Sequence, residues 1–571
     1  MKTKLFYCFL LLNFLAEAQT QLFVPDTLIG PNFNLNMHKD SVQFFSTGKI
    51  SHTYAYNNNK YLGPTLIFER GKDVSINVTN QIDDTTTVHW HGIHLPAMWD
   101  GGPHTPILKG ESWNPKFKVL DHASTYWYHP HWHKKTAAQA IKGAAGLIIV
   151  RDSIEKALVL PRKYGVDDFP VIVQSQEYDA NNQAMPLGME DSTLLVNGGR
   201  ANQGHSVYVN CPAQVVRFRI LNASGERAFN FGLSGNKQFY QIGTDGGLLN
   251  TPRQTTRVRL APGERAEILV DLAGLNGQTF YLLSYASEFA YGIQGGPTMP
   301  MPVGSPPMDS PLNGIDFNLL TIHVVGQTAN PILSIPSTLE NNVPYLKNEA
   351  NITRTINITA DNMMVMDGPF YFNDQLFDMM RIDYEIPLNN IEIWKLVNKN
   401  MVAHPFHIHD VQFYIIERNG QPTSIEDQGR KDVVFIPPGD SVLFITKFED
   451  FADPMIPYMF HCHILMHEDG GMMGQFVVTE NQVGLNKNDE LVSQFEVYPN
   501  PVLNTFSIKS KSKDDLSPIQ IKVYSVSGMK ILDSELNLLD NKVDVSNWGA
   551  GIYTIEITQN QMITHKKIQV R

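Results

Sequence analysis

Short runs in which hydrophobic and polar residues alternate recur along the whole chain, separated by clusters of Gly, Pro, Asn and Asp. Examples are DVSINVTN at 73–80, VVRFRILN at 215–222 and IEIWKLVN at 391–398. A period of two is typical of strands that bury one face. The pattern therefore predicts an all-β protein, and 571 residues are enough for several β-sandwich domains.

These three strands are copies of one element, which ends at Asn80, Asn222 and Asn398. The positions nine and eleven residues after each Asn hold His89 and His91, Phe231 and Leu233, and His407 and His409. A second element repeats downstream as KGESWNPKFKV, PGERAEILVDL and PPGDSVLFITKF, each followed by another strand. The paired positions on those strands are His129 and His131, Leu283 and Tyr285, and His461 and His463. This duplication predicts three similar sandwiches, of which the middle one lacks metal ligands.

The segment HCHILMHEDGGM at 461–472 places a cysteine between two histidines. Neighbouring side chains on a strand point to opposite faces. His461 and His463 are therefore predicted to face one way and Cys462 the other. The tripeptide then contributes to two metal centres that lie back to back.

A thiolate, two imidazoles and a weak thioether form the trigonal donor set of a blue copper site. Cys462 supplies the thiolate, and His467 and Met472 follow it on the same loop. His404, three residues before His407, is the expected second imidazole. The matching positions of the first copy are Thr86 and Pro130, so only the third sandwich is expected to build this site.

The histidine face draws on four His-x-His pairs from the first and third copies. Eight neutral imidazoles without a carboxylate favour a cluster of copper ions, since copper has the highest affinity in the divalent series. A single His-x-His strand is more often an ordinary polar face. Four pairs in duplicated register, one of them enclosing the cysteine, indicate metal binding.

HWHG, WYHPHWH, HPFHIH and HCHILMHEDGGM closely resemble the four copper motifs of multicopper oxidases, over residues 22–483. HWHGIHLPAMWDGGP and YHPHWHKKT look most like the bacterial three-domain branch, which includes laccases and cuprous oxidases. The resemblance implies three cupredoxin-like Greek-key β-sandwich domains. It also implies four copper ions: one type 1, one type 2 and a type 3 pair.

The resemblance further implies a role for each motif residue. Type 1 copper is expected at His404, Cys462, His467 and Met472, type 2 copper at His89 and His407, and the type 3 pair at His91, His129, His131, His409, His461 and His463. Asp100 matches the residue that delivers protons to the cluster in this family, and Glu468 is a second candidate. The alternative for either carboxylate is a loop cap or a surface charge.

The expected reaction is one-electron oxidation of a reducing substrate at type 1 copper, coupled to four-electron reduction of dioxygen to water at the cluster. A laccase acting on phenolic compounds is the leading hypothesis, and a metallo-oxidase acting on Cu(I) or Fe(II) is the alternative. Met363, Met364, Met366, Asp367, Met379 and Met380, like the loop at 295–309, either bind Cu(I) or simply pack. A non-catalytic copper-binding protein is a remote third hypothesis, because all twelve ligand positions are filled.

The two ends of the chain predict export. Residues 1–18 resemble a signal peptide, with Lys2 and Lys4, the apolar stretch 5–15 and an A-x-A site. After a linker at 485–494, residues 495–571 form a small β domain. Its YPNP, VYSVSGMKIL and GIYTIEI segments resemble the type IX secretion sorting domain of Bacteroidetes. The resemblance implies passage through the periplasm to the cell surface or medium, with the type IX machinery as partner.

Composition and length complete the expected organisation. The net charge of −12 without a long basic run argues against nucleic acid as a partner. No later stretch is long and apolar enough to span a membrane, and a monomer is expected. The predicted domains are 19–155, 156–330 and 331–484 for the three sandwiches and 495–571 for the sorting domain.

Overall fold

The computed structural model of the chain describes residues 18–186, 190–298, 310–361, 368–480, 495–510, 517–526, 528–537, 541–559 and 562–571. Several sequence predictions lie outside these residues: the signal peptide apart from Ala18, the linker at 485–494, the four residues Met363, Met364, Met366 and Asp367, and most of the loop at 295–309. Within the described part of the chain, no helix is long and apolar enough to cross a membrane.

The first sandwich packs a five-stranded sheet, in the order β2-β5-β11-β10-β7, on a sheet in the order β4-β3-β6-β8 with β9 paired to β6. Its strands are β2 (Thr27–Ile29), β3 (Asn32–Val42), β4 (Ser51–Tyr56), β5 (Thr65–Glu69), β6 (Asp73–Asn80), β7 (His89–His91), β8 (Ser112–Trp113), β9 (Lys116–Lys118), β10 (Thr125–His129) and β11 (Gly146–Arg151). An earlier strand, β1 (Ala18–Gln21), pairs in parallel with a strand of the second sandwich.

The second sandwich has sheets in the orders β1-β16-β24-β23-β18-β21 and β15-β14-β12-β17-β22-β19-β20, with β13 paired to β12. Its strands are β12 (Asp168–Tyr178), β13 (Ala184–Met185), β14 (Thr193–Val196), β15 (Gly199–Arg200), β16 (His205–Pro212), β17 (Val215–Asn222), β18 (Phe229–Leu233), β19 (Phe239–Thr244), β20 (Gly247–Thr255), β21 (Val258–Leu260), β22 (Arg265–Asp271), β23 (Thr279–Ser284) and β24 (Phe317–Val325).

The third sandwich has sheets in the orders β26-β25-β28-β33-β30-β31 and β27-β35-β34-β29-β32. Its strands are β25 (Ile352–Ala360), β26 (Phe370–Phe372), β27 (Tyr384–Pro387), β28 (Ile391–Asn398), β29 (His404–Ile408), β30 (Tyr414–Arg418), β31 (Gln421–Pro422), β32 (Val433–Ile436), β33 (Ser441–Lys447), β34 (Asp453–Cys462) and β35 (Met473–Thr479).

The C-terminal unit is a smaller sandwich of a three-stranded sheet, β36-β37-β40, and a four-stranded sheet, β39-β38-β41-β42. Its strands are β36 (Phe495–Tyr498), β37 (Thr505–Ser510), β38 (Ile519–Ser525), β39 (Lys530–Leu536), β40 (Lys542–Asp544), β41 (Gly551–Gln559) and β42 (Met562–Val570). The α-helices of the described residues are short: α1 (Thr136–Ala140), α2 (Ser153–Ala157) and α3 (Leu465–Asp469). The predicted all-β class is confirmed.

Each sandwich encloses its own apolar core between its two sheets. Trp90 lies in the core of the first sandwich and Trp394 in that of the third, and both are fully buried. Burial of this apolar area, at roughly 25 cal/mol per Å², is the main force that holds each unit together.

The repeated asparagine performs the same structural task in all three large sandwiches. The Asn80 amide donates to the carbonyls of Asp84 and Ile107 and accepts from the N–H of Ile82. Asn222 bonds in the same way to Arg227, Leu260 and Ser224, and Asn398 to Val402, Ile436 and Asn400. Each amide pins the loop between the end of its strand and the strand that carries the repeat's paired positions.

We expect Asn222→Ala to lower the free energy of unfolding by about 2–4 kcal/mol, because it leaves buried backbone groups without partners. Chemical denaturation of the purified protein would measure the loss. Asn210→Ala is a matched control, since Asn210 lies on β16 with its side chain exposed, and it should change stability by less than about 0.5 kcal/mol. Equal effects of the two substitutions would contradict the role of the repeated asparagine.

The structure corrects the predicted alignment of the second copy by one residue. His89 pairs with His129 and His407 with His461, whereas Phe231 pairs with Ser284 rather than with Leu283. The β23–β24 ladder shifts register between Leu282 and Leu283. The extra residue there, Leu319, lies on β24, so the one-residue offset belongs to the β18–β23 pairing itself. Alignment of the apolar strand pattern does not detect such a shift.

Candidate functional site

The end of strand β34 places two groups of buried side chains on opposite sides of one backbone segment. Cys462 faces His404 and His467, while His461 and His463 face histidines of the other strand ends. The Cys462 N–H donates to the carbonyl of Met472, and the His463 N–H donates to that of Pro405. These two bonds fix the alternation that the sequence predicts.

On the sulfur side, Cys462 Sγ lies 3.6 Å from His404 Nδ1 and 3.6 Å from His467 Nδ1. Cys462, His404 and Met472 are 0% exposed and His467 is 8% exposed, so His467 is the member of this group nearest the surface. The Phe370 ring packs against both imidazoles, with centroids 4.8 and 4.4 Å away. This environment excludes water and leaves one edge close to the solvent.

Burial determines the charge state of this group. It raises the pKa of the Cys462 thiol well above its usual range and lowers the pKa of His467 to about 3. The pKa of His404 is also lowered, first by burial and then by His467. The two rings are therefore neutral ligands at pH 7, and the thiol ionises only when a cation compensates its charge.

On the histidine side, the ends of β7 and β10 in the first sandwich meet the ends of β29 and β34 in the third. The eight imidazoles that the sequence singles out converge here, all at most 1% exposed: His89, His91, His129, His131, His407, His409, His461 and His463. Ligand nitrogens of His89, His407 and His409, and those of His131, His409 and His461, lie within 4.8 Å of one another. The His91 and His407 rings stack with centroids 3.7 Å apart.

Hydrogen bonds to backbone carbonyls show which nitrogen is unprotonated in four of these rings. A carbonyl oxygen only accepts, so a ring nitrogen bonded to one must carry the proton. Such bonds run from Nδ1 of His89 to Asp100 O, of His129 to Pro130 O, of His407 to Asp432 O and of His461 to Cys462 O, at 2.8–3.0 Å. The unprotonated Nε2 atoms of these rings point into the cluster.

These free nitrogens fit a cation. His409 donates from Nδ1 to Asp100 Oδ2 at 2.7 Å, so its Nε2 is also unprotonated. That atom lies 3.3 Å from Nε2 of His461, and two lone pairs at this distance repel unless a positive charge lies between them. Buried Nε2 atoms of His89 and His407 have no hydrogen-bond partner in the described structure. An all-imidazole donor set of this kind suits copper.

Burial also keeps seven of the eight cluster rings uncharged. It is the largest cause that lowers the pKa of six rings well below the usual range, and neighbouring imidazoles lower the pKa further; these rings are His91, His129, His131, His407, His409 and His463. The pKa of His461 is lowered to about 3, again chiefly by burial. Metal ligands must be deprotonated to bind, so the cluster is prepared for a metal at neutral pH.

Asp100 and Glu468 both touch the cluster, from different sides. Asp100 follows the short helical turn Ala97–Trp99 and is 1% exposed, with Oδ1 3.4 Å from His89 Nδ1. Glu468 lies on α3, 3.3 Å from His131 Nδ1 and 3.4 Å from His461 Nδ1. Burial, followed by Asp469, raises the pKa of Glu468 well above its usual range. Neither carboxylate is a surface charge.

The structure adds residues that sequence reasoning missed. Asp432 lies beside the cluster, with Oδ1 3.1 Å from His91 Nε2 and its carbonyl bonded to His407. The amide of Asn400 lies 3.1 Å from His404 Nε2. Asp432 belongs to the segment RKDVVF, whose only sequence signal is a charge before a buried strand. Asn400 follows Asn398, and its role depends on the turn that Asn398 stabilises.

Other histidines lie apart from both groups. His133 is half-buried against Phe377, with ring centroids 5.1 Å apart. His94 bridges Asp410 and Asp450 at 2.7 and 3.2 Å.

Family models match almost the whole chain. Three multicopper oxidase models match residues 39–155, 168–295 and 346–482, and a secretion system C-terminal sorting domain matches residues 496–571. The sorting domain indicates a secreted or cell-surface protein. The multicopper oxidase models indicate copper as the cofactor.

The chain is also similar to individual multicopper oxidases. Multicopper oxidase mco of Staphylococcus haemolyticus is 31% identical over 457 residues, which are 78% of this chain and 88% of that protein. A solved structure of the bacterial laccase-like multi-copper oxidase CueO from Ochrobactrum sp. is 31% identical, with a TM-score of 0.69, over 80% of this chain and 100% of that chain. The solved structure of a multicopper oxidase from Campylobacter jejuni, described as a metallo-oxidase, is 26% identical, with a TM-score of 0.65. The match covers 81% of this chain and 96% of that chain.

The fold of these neighbours confirms the predicted Greek-key, cupredoxin-like sandwiches. The match to the staphylococcal oxidase covers 88% of that protein. The matched family models span both sandwiches that contribute histidines to the cluster. The chain therefore belongs to the multicopper oxidase family and is an oxidase.

Proposed function

We propose that this enzyme is an exported laccase-like oxidase that binds four copper ions and couples oxidation of a small reducing substrate to reduction of dioxygen to water. The observation that carries the proposal is the pair of donor groups on opposite sides of the Cys462 backbone. Cys462 and its two histidine neighbours form a continuous covalent path between the groups. A shared strand of this kind suits electron transfer from one centre to the other.

We assign the ligands as the resemblance to multicopper oxidases implies. Type 1 copper is held by His404, Cys462, His467 and Met472. Type 2 copper is held by His89 and His407, whose Nε2 atoms lack partners in the described structure. The type 3 pair is held by His91, His129, His131, His409, His461 and His463. When bound, the copper ions accept single electrons from the substrate at type 1 and supply four electrons to dioxygen at the cluster.

The protein itself orients the imidazole rings, excludes water from the cluster and supplies protons for the reduction of dioxygen. Carbonyl acceptors fix the tautomers of four rings, and burial of all eight rings excludes bulk water. Reduction of one dioxygen molecule to two waters consumes four electrons and four protons. Asp100 and Glu468 are proposed to hold those protons, because each reaches ring nitrogens of the cluster while remaining buried.

Substrate oxidation is proposed to occur at the His467 edge, the more exposed side of the type 1 group. A phenolic substrate is the first candidate, as the laccase-like relative acts on lignin model compounds. The metallo-oxidase neighbour supports Cu(I) or Fe(II) as the second candidate. Met379 and Met380 are half-buried rather than core residues. Whether they bind Cu(I) or simply pack is tested by the same oxygen-uptake experiment.

Oxygen uptake by copper-loaded protein tests the function and separates these substrates. We expect a phenolic dye to drive uptake with one dioxygen consumed per four electrons, and a larger kcat/KM for the natural class of donor. Protein stripped of copper is the control and should show no uptake. Failure of a phenol, Fe(II) and Cu(I) alike to drive uptake would contradict the proposal.

We propose the domain boundaries that the sequence predicts: a signal peptide at 1–18, sandwiches at 19–155, 156–330 and 331–484, a linker at 485–494 and a sorting domain at 495–571. The family-model boundaries support this division. We also propose export to the periplasm, transfer across the outer membrane by the type IX machinery, and a monomeric enzyme. N-terminal sequencing and intact mass of the secreted protein test the boundaries of export, and light scattering tests the monomer.

A further inference from the structure

The middle sandwich supplies none of the proposed ligands, yet one of its side chains reaches the copper cluster. Arg265, the first residue of β22, is 0% exposed. Its five N–H groups make five hydrogen bonds. They run to the carbonyls of Thr125, Gly263 and Asp245 at 2.9–3.0 Å and to both carboxylate oxygens of Asp432 at 2.6 Å. The guanidinium therefore has no unused donor and joins all three large sandwiches.

Asp432 connects this guanidinium to two cluster rings. Its Oδ1 lies 3.1 Å from His91 Nε2, and its backbone carbonyl accepts from His407 Nδ1 at 2.8 Å. Those two rings are stacked within 8° of parallel. One residue thus orients a pair of imidazoles through its side chain and its main chain.

An Asp432 oxygen lies within 4.8 Å of ring nitrogens of His91 and His407. Asp432 is therefore close enough to be a metal ligand itself, but its hydrogen bonds favour a different role. The paired bonds from Arg265 occupy both of its oxygens with charged donors. The lone pair left on Oδ1 faces His91 Nε2, which must then carry the proton. His91 Nδ1 in turn faces His129 Nε2 at 3.3 Å. This arrangement directs His91 to bind through Nδ1, unlike the rings that bind through Nε2.

The contacts of the middle sandwich with the cluster leave no room for a side chain at two glycines. A Cβ at Gly92, next to His91, would lie 2.2 Å from Asp432 Oδ2 and 2.8 Å from Arg265 Nη2. A Cβ at Gly263, two residues before Arg265, would lie 2.9 Å from the His463 ring, and Gly263 also has a φ of +84°. The middle sandwich therefore packs against the His463 ring at Gly263, and its Arg265 side chain packs against Gly92, the neighbour of His91; both positions favour glycine.

We propose that Arg265 is a positioning residue for the copper cluster: it holds Asp432 as the hydrogen-bond acceptor that fixes the tautomer of His91, so the middle sandwich is a working part of the site. This inference rests on the proposed copper ligation. Removing an outer partner of a metal-binding histidine typically costs 10–100-fold in metal affinity or activity. The effect should fall on the cluster and spare the type 1 group, which Arg265 does not touch.

The test compares Arg265→Lys with Arg217→Lys. Lysine keeps the charge but cannot form the paired bonds. Arg217 is a fully buried arginine of the same sheet that bonds to Glu155 and Glu267 and contacts none of the proposed ligands. We expect R265K to lose copper from the cluster after dialysis and to change the type 2 electron paramagnetic resonance signal, with normal blue absorption. R217K should keep the wild-type copper content and signal even if it unfolds at a lower temperature.

Asp432→Asn provides a second measurement if R265K does not fold. It keeps the acceptor oxygen for His91 but loses the charge that pairs with Arg265, and we expect the same change in the type 2 signal. A wild-type signal and copper content in D432N, or an equal change in R217K, would overturn the inference. Absence of copper from the wild-type protein would instead refute the proposed function, so the two failures are distinguishable.

Discussion

Cys462→Ser is expected to abolish the blue thiolate-to-copper absorption and to lower turnover by at least about a thousand-fold, because a group that works as a unit loses nearly all activity with one member. The Cys462 side chain faces His404 and His467 at 3.6 Å and points away from the cluster. The variant should therefore retain the cluster copper and its type 2 signal. Absorption spectroscopy, metal analysis and oxygen uptake on the same preparation measure the three effects.

Cys211→Ser is the matched control for this experiment. Cys211 is the other described cysteine, and it is also 0% exposed, in the core of the middle sandwich. C211S should reduce stability, since it buries a hydroxyl among apolar side chains, while colour and turnover per folded molecule remain normal. Loss of all copper from C462S would contradict the separation into two centres, because it would place the sulfur among the ligands of the cluster.

Asp100→Asn is expected to lower kcat by about 100-fold or more, the usual contribution of a positioned acid or base. Asparagine keeps an oxygen that accepts from His409 Nδ1, a bond of 2.7 Å in the native protein, but it cannot hold a proton for the reduction of dioxygen. The blue absorption and copper content should be unchanged. Stopped-flow mixing of the reduced enzyme with dioxygen should reveal slow reoxidation as the cause.

Asp152→Asn is a suitable control for Asp100→Asn. Asp152 is a buried carboxylate that caps α2 and accepts from the N–H groups of Glu155 and Ala123, away from the histidines. Its substitution should affect stability alone. If D100N reoxidises as fast as the wild type, or if its only defect is loss of copper, Asp100 orients the ring of His409 and does not deliver protons.

The candidate site was largely predictable because its ligands follow local rules. The repeated asparagine and the His-x-His pairs have fixed offsets along the chain, and the structure brings all eight imidazoles to one place. The opposite orientation of Cys462 and its neighbours follows from strand geometry alone. The sequence pattern gives the wrong position only in the second copy, where Phe231 pairs with Ser284 and not with Leu283.

The residues that surround the ligands were not predictable in the same way. Asp432 and Arg265 are 167 positions apart in the chain and meet only because two sandwiches pack together. Asp100 was identified through family resemblance, and its contact with His409 spans 309 positions. Charges that pair over such distances leave no periodic signal, because nothing in the local backbone links them.

The sequence by itself determined the all-β class, the repeat and the two-sided donor pattern around Cys462, since strand periodicity and motif spacing are local properties of the chain. Tertiary structure alone decided which ring nitrogens are free, which carboxylates touch the cluster and that the middle sandwich contributes Arg265. Those features depend on how separate sheets pack, and a buried charge or imidazole takes its protonation state and partners from that packing.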